Sequence, residues 1–161
     1  MNCAKPIAAV FVFVAFCALT SCRNSEPPVI EDPSTASLEK TYIDTHNGYS
    51  EAVTVVSGGV KTVFVSGQVG EGPDLDSQVR SALSNLKEVL GKAGATMEDV
   101  VKMNTYIVDY GPKSLETFRG IRKELLGDTE MPASTLVGVE SLALPEWLIE
   151  IEATALIPVT E

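Results

Sequence analysis

A single histidine, His46, serves the whole 161-residue chain. No Ser-His-Asp or Cys-His arrangement can be built around it for nucleophilic catalysis. All three cysteines, Cys3, Cys17 and Cys22, fall in the first 22 residues. The rest of the chain therefore has no disulfide, no thiol nucleophile and no thiolate metal ligand. One histidine without cysteine partners does not make a zinc site of the usual composition, and no metal or organic cofactor is expected. Basic residues are scarce as well, 12 against 22 acidic ones, for a formal charge of −10. Binding to phosphate backbones needs a basic surface. No Lys/Arg stripe with interleaved aromatics is present, so nucleic acid is not an expected partner. The glycine-rich segment from Ser66 to Gly72 lacks the lysine of a phosphate loop and the spacing of a dinucleotide fingerprint. Read alone, it is a turn that ends a strand.

The N-terminus does carry a pattern. Lys5 precedes Ile7 to Leu19, thirteen uninterrupted residues that are apolar or Cys. A membrane-spanning helix needs about 20, whereas a run of this length fits the core of a signal peptide. Leu19-Thr20-Ser21-Cys22 closes the run. That arrangement resembles a bacterial lipoprotein signal over residues 1–21, with Cys22 as the residue that receives the lipid. The expected location is the cell envelope, on the periplasmic or outer-surface side, with the membrane held through the lipid. Loss of the leader removes Lys5 and leaves 11 basic against 22 acidic side chains, a formal −11. Residues 22–40 contain three prolines and no apolar periodicity. They read as a flexible tether, able to reach about 60 Å at ~3.3 Å per residue.

Residues 41–161 make one domain with material for one core. Ala52 to Ser57 and Val60 to Ser66 are β-branched runs joined by Gly58-Gly59, the signature of a tight hairpin. Gly67 and Gly70 to Pro73 are read as breaking the second strand. A helix follows over about Asp76–Ala93, with Val79, Leu83, Leu86 and Leu90 on one stripe. Asp74 or Asp76 is its expected cap, and Gly94 its end. Asp99 to Val108 is a third strand. Pro112 and Ser114 open a second helix, with Leu115, Phe118, Ile121 and Leu125 on its apolar face. Ser134–Val139 and Leu148–Ile157 are the last strands, and Thr41–Thr45 is a candidate edge strand. The order ββαβαββ predicts an α+β domain with helices on one face of a sheet.

Four blocks carry a family resemblance: Val63 to Gln68; Gln78 to Leu90, followed by Ala93-Gly-Ala and Glu98 to Lys102; Pro132 to Val139; and Leu148 to Ala153. In this order and spacing they resemble the RidA/YjgF family from about Gly48 to Pro158. The resemblance implies a chorismate-mutase-like fold with a mixed sheet, assembled as a homotrimer with ligand clefts between subunits. It implies hydrolysis of reactive enamines and imines to keto acids and ammonia without a cofactor. It also implies that a glutamate serves the hydrolysis through water and that an arginine holds the substrate carboxylate.

Carried onto this chain, the resemblance assigns Tyr49, Ser66 and Gln68 to the cleft and Glu150 to catalysis. Glu150 and Glu152 share one parity on a strand, so both point to one face, an arrangement also typical of a solvated surface. The family arginine position holds Ser134. Serine offers one neutral donor in place of a planar cation with five. A charge-assisted hydrogen bond contributes roughly 1.5–3 kcal/mol. Arg119, on the second helix, is a candidate substitute; the alternative is that Arg119 and Arg122 are solvated partners of Glu116 and Glu124. Three functions remain open: an imine hydrolase, a small-molecule-binding module without deamination, and a chaperone-like scaffold.

Overall fold

The computed structural model describes residues 38–127 and 130–159. The leader, Cys22 and the tether up to residue 37 lie outside them. The described residues form β1 (Glu39–His46), β2 (Tyr49–Ser57), β3 (Val60–Val69), α1 (Leu75–Lys92), β4 (Val100–Val108), α2 (Pro112–Leu126), β5 (Ala133–Val139) and β6 (Ile149–Pro158). The six strands make one sheet in the order β1-β2-β3-β6-β4-β5. Neighbours are antiparallel except β4 and β5, which are parallel and joined through α2. The sheet is therefore mixed, with the last strand inserted at its centre. The first strand starts at Glu39, two residues before the domain start read from the sequence, and Glu39 and Lys40 pair with Val56 and Val55. Asn47-Gly48, both at positive φ, turn β1 into β2. Gly58-Gly59 turn β2 into β3 with both φ values positive, as that hairpin type requires.

Helix α1 begins where the sequence places a cap. The Asp74 carboxylate accepts from the Ser77 backbone N–H at 2.9 Å, and the Ser77 hydroxyl accepts from the Asp74 N–H at 3.3 Å. This reciprocal capping satisfies two donors the helix leaves open. The predicted stripe is the buried face: Val79, Leu86 and Leu90 are fully buried and Leu83 nearly so. It meets Val63, Val65, Ile149 and Ile151 on the same face of the sheet. Burial of a side chain of this size stabilises the fold by roughly 1.5–3 kcal/mol. Gln78, also buried, is fully satisfied: its amide donates to the carbonyls of Gly72 and Glu146, and its oxygen accepts from the Leu148 N–H. One polar side chain thus ties the entry to α1 to the entry to β6.

Helix α2 opens with Pro112 at its first turn and buries Phe118 and Ile121. Leu125, read as part of that apolar face, is instead exposed. It follows Ile121 by four residues in the helix's last turn, where the neighbouring Glu124 already lies at the surface in an ion pair with Arg80 of α1. Gly67, read as breaking β3, does not end it. Between the pairs Val65↔Ala153 and Gln68↔Ile151, β3 uses three residue steps where β6 uses two. The extra residue is a β-bulge, and the strand continues to Val69. Among the described residues no helix is long and apolar enough to cross a membrane.

Candidate functional site

Strand β6 alternates cleanly. Ile149, Ile151, Ala153 and Ala155 are buried against the helices, while Glu150, Glu152 and Thr154 lie half-buried on the opposite face. Glu150 lies opposite Val69 on β3 and Tyr106 on β4. Its side chain packs on Gly67, the bulge glycine: a Cβ there would land on the Glu150 carboxylate. Burial, and then the negative charge of Glu152, push the Glu150 carboxyl above the ordinary glutamate range. Glu152 is held by neutral donors, Asn104 Nδ2 at 2.6 Å and the Tyr106 hydroxyl at 3.2 Å. The Tyr106 phenol is pushed up by burial and by the charges of Glu152 and Glu150.

The bulge sorts the other candidates. Ser66 donates its hydroxyl to the Ser50 carbonyl at 2.6 Å, stitching β3 to β2. Gln68 is carried to the helix side and buried. Its amide donates to Glu51 at 2.9 Å and to the Ser66 carbonyl at 3.2 Å. Tyr49 is half exposed, with its hydroxyl 3.5 Å from Glu51 and its ring edge-on to His46. Burial raises its phenol, followed by the charge and hydrogen bond of Glu51 and the charge of Glu150. Tyr49 therefore stands in the field of both carboxylates, one on each side of the bulge.

Glu51 was not singled out from the sequence. It accepts from Gln68 and Tyr49 and lies 2.6 Å from His46 Nε2. Burial works against its charge, but the Gln68 and His46 hydrogen bonds and the His46 charge outweigh it, so the carboxyl stays below the ordinary range. The available signal was its i+2 spacing from Tyr49, which gives both residues one parity on a strand. His46, assigned no role from sequence, is its partner. Glu51 and Gln68 also line a depression of about 370 Å³ between the strand ends and the second half of α1. There Lys92 bridges Asp44 and Glu88, each at 2.9 Å.

Ser134 and Arg119 are not brought to this group within one chain. Ser134 lies opposite Met103, while Glu150 lies in the row of Tyr106 and Val137. The separation is about 10 Å along the strands and about 10 Å across two strand spacings. Arg119 is on the exposed side of α2. Neither arginine of that helix pairs as the alternative reading expected. Glu124 is taken by Arg80, which reaches it with two bonds of 2.8 Å. Arg122 stands 5.6 Å from the Phe118 ring centre, so packing against that ring replaces the ion pair. Among the described residues no cluster of His, Cys, Asp and Glu could hold a metal.

The arrangement offers a carboxyl with raised proton affinity beside two phenols and a second carboxylate. Such a carboxyl suits proton exchange with a bound water better than an ordinary glutamate, because its affinity lies nearer neutral pH.

Known proteins share this framework. The family model described as Endoribonuclease L-PSP matches residues 39–157. The RutC family protein YjgH of Escherichia coli is 34% identical over 102 residues, which are 60% of this chain and 76% of that protein. A Dermatophagoides farinae protein named 2-iminobutanoate/2-iminopropanoate deaminase is 34% identical over 103 residues, 58% of this chain and 74% of that one. A crystal structure of a Mycobacterium tuberculosis member of the YjgF/YER057c/UK114 family superposes with a TM-score of 0.64 at 32% identity, covering 74% of this chain and all of that one.

The packing of Glu150 on Gly67 makes one prediction. Gly67→Ala places a methyl group where the carboxylate now lies. The atom in its way is the far end of a flexible side chain, so the fold yields cheaply and Glu150 moves. The variant should keep its far-UV circular dichroism and melt within a few degrees of wild type, while the Glu150 carboxyl, displaced from its half-buried place, titrates closer to the ordinary glutamate range by NMR. An unchanged titration would show that packing on Gly67 does not set the surroundings of Glu150.

Proposed function

Because this chain belongs to the family described as Endoribonuclease L-PSP, we propose that it is an imine- or enamine-hydrolysing protein of the RidA kind, with Glu150 handling the water. The observation that carries the reading is the placement of Glu150, the residue matching the family glutamate, partly buried on Gly67 and beside Glu152. A similar protein bears the name 2-iminobutanoate/2-iminopropanoate deaminase, which supports the same chemical class. In the hydrolysis, water adds to the imine carbon and the C–N bond breaks. Glu150 takes a proton from the water and returns it to the departing nitrogen.

The cleft is completed by self-association as a homotrimer. Tyr49, Ser66 and Glu150 gather on one part of the chain, while Ser134 and Arg119 lie away from them, so a neighbouring copy is needed to close the site. The sheet face opposite the helices exposes Phe64, Val137 and Leu156, each more than two-fifths exposed, and an apolar patch of this kind favours an interface. The endoribonuclease wording of the family description is not the reading we adopt. A chain of formal charge −10 with two glutamates on its site face repels a phosphate backbone.

The second reading, a binding module without deamination, rests on Ser134. A neutral hydroxyl there leaves an amino-acid-derived imine without its carboxylate partner. Hydrolysis of 2-iminobutanoate should therefore be weak, and Ser134→Arg should raise it about tenfold or more, in a protein that sediments as a trimer. A monomer at micromolar concentration would overturn the composite cleft. A wild-type rate on 2-iminobutanoate that Ser134→Arg does not improve, but Arg119→Ala abolishes, would make Arg119 the carboxylate partner.

We place the mature protein in the bacterial cell envelope, tethered by a lipid on Cys22; the leader motif supports this. Cys22→Ser should move the protein out of the membrane fraction or block its processing. Equal incorporation of labelled fatty acid into wild type and variant would refute the anchor.

A further inference from the structure

Glu51 is held at both of its oxygens. Gln68, buried by the bulge in β3, donates to Oε2 at 2.9 Å. His46, at the end of β1, places Nε2 2.6 Å from Oε1. One bond alone leaves a carboxylate free to turn about it, whereas a bond to each oxygen fixes its plane. Oε1, the oxygen His46 holds, is also the one the Tyr49 hydroxyl faces at 3.5 Å. His46 meets Tyr49 a second time through its ring, edge-on with centroids 4.7 Å apart. Tyr49 is half exposed, and among the described residues Glu51 is the one hydrogen-bond partner of its hydroxyl. The β1–β2 turn keeps the histidine in its donor form. The Asn47 amide donates to His46 Nδ1 at 3.2 Å. Nδ1 is therefore the bare nitrogen, and Nε2 carries the hydrogen in the neutral ring. Asn47 sits at positive φ in that turn, a conformation asparagine tolerates better than most residues.

We propose that His46 is a positioning residue: acting through Glu51, its Nε2–H holds Tyr49 where that tyrosine meets the ligand. This rests on the imine-hydrolase reading above, in which Tyr49 lines the cleft, and adds to it the group that places Tyr49. The His46 side chain is 42% exposed, and contacts this close to water contribute little to stability. Their effect is on geometry. Three substitutions separate the parts of the device. Glu51→Gln leaves one acceptor oxygen, which Gln68 takes. The new amide N–H then faces the His46 Nε2–H, donor against donor. The histidine tautomer that could accept from it would set Nδ1–H against the Asn47 donor. His46→Phe keeps a ring beside Tyr49 and offers Glu51 no donor. His46→Gln gives up the ring and supplies an amide N–H in place of Nε2–H.

The test measures ammonium release from freshly generated 2-iminobutanoate by the full-length protein in neutral detergent, at about pH 8, where histidines are ordinarily neutral. Binding of the stable keto-acid product, 2-oxobutanoate, is followed in parallel by ligand-observed NMR. His46→Phe should raise KM and the product Kd about fivefold, the loss of one neutral hydrogen bond, and leave kcat within about twofold of wild type. Glu51→Gln should do the same, and the two variants guard against a single substitution that fails to fold. His46→Gln should stay within about twofold of wild type in both KM and Kd. Because His46 acts through Tyr49, adding His46→Phe to Tyr49→Phe should weaken binding no further. KM and Kd unmoved by His46→Phe and Glu51→Gln overturn the proposal. So do effects of His46→Phe and Tyr49→Phe that multiply, or a His46→Gln variant as weak as His46→Phe. Release that Tyr49→Phe weakens and His46→Phe does not keeps the hydrolase reading and sinks this one. Product binding that follows the expected pattern without any release keeps the positioning role and sinks the hydrolase reading. A wild type that neither releases ammonium nor binds the product sinks both.

Discussion

Strand β6 lies at the centre of the sheet, between β3 and β4, and helices cover one of its faces. Its side chains must alternate between the two faces. Placing Ile149, Ile151, Ala153 and Ala155 in the core therefore forces Glu150 and Glu152 onto the other face. Core and site are set by one register, and a slip of one residue would exchange them. That register is held at the strand's start by Gln78, which accepts from the Leu148 N–H while donating to carbonyls on two separate loops. A buried amide with all its bonds made stabilises one arrangement, because leaving any of those groups unpaired costs about 1–3 kcal/mol.

The bulge in β3 turns that register into a site. It inserts one residue between Val65 and Gln68, which sends Gln68 to the helix side to hold Glu51 and leaves bare Gly67 backbone under Glu150. A larger residue at position 67 would occupy the space of the carboxylate. The partial burial that raises the proton affinity of Glu150 is thus a packing property of the sheet, produced by two adjacent strands. The hydrogen bonds that fix Glu51 lower its proton affinity instead. Two carboxyls close to one tyrosine are therefore driven in opposite directions by different surroundings, a pattern that separates a proton-exchanging group from a permanently charged one.

Much of the fold was legible because it follows from periodicity. The stripe Val79, Leu83, Leu86 and Leu90, the Asp74 cap and the Gly58-Gly59 turn each depend on local spacing, and each stands where spacing puts it. Leu125 was misplaced because stripe counting does not register where a helix's last turn leaves the core. Gly67 was misjudged because a glycine that ends a strand and one that bulges it look alike in sequence; only the paired strand distinguishes them. The edge strand read over Thr41–Thr45 stands as β1, and the Asn47-Gly48 turn marks where it ends. In the site, Glu150 and Tyr49 came from resemblance, whereas Glu51 and His46 depend on a cross-strand meeting that no linear motif encodes. The pairing of Glu124 with Arg80, between helices 44 positions apart, is of the same kind.

Glu150 is a half-buried carboxyl beside a second carboxylate, and both features raise its proton affinity. A titration of its side-chain carboxyl carbon by NMR, in wild type and in Glu152→Gln, tests this most directly. The wild-type midpoint should lie above the ordinary glutamate range and move back toward that range in the variant. A wild-type midpoint at or below the ordinary range would mean that a cation or a set of strong donors holds the carboxylate, and would contradict it.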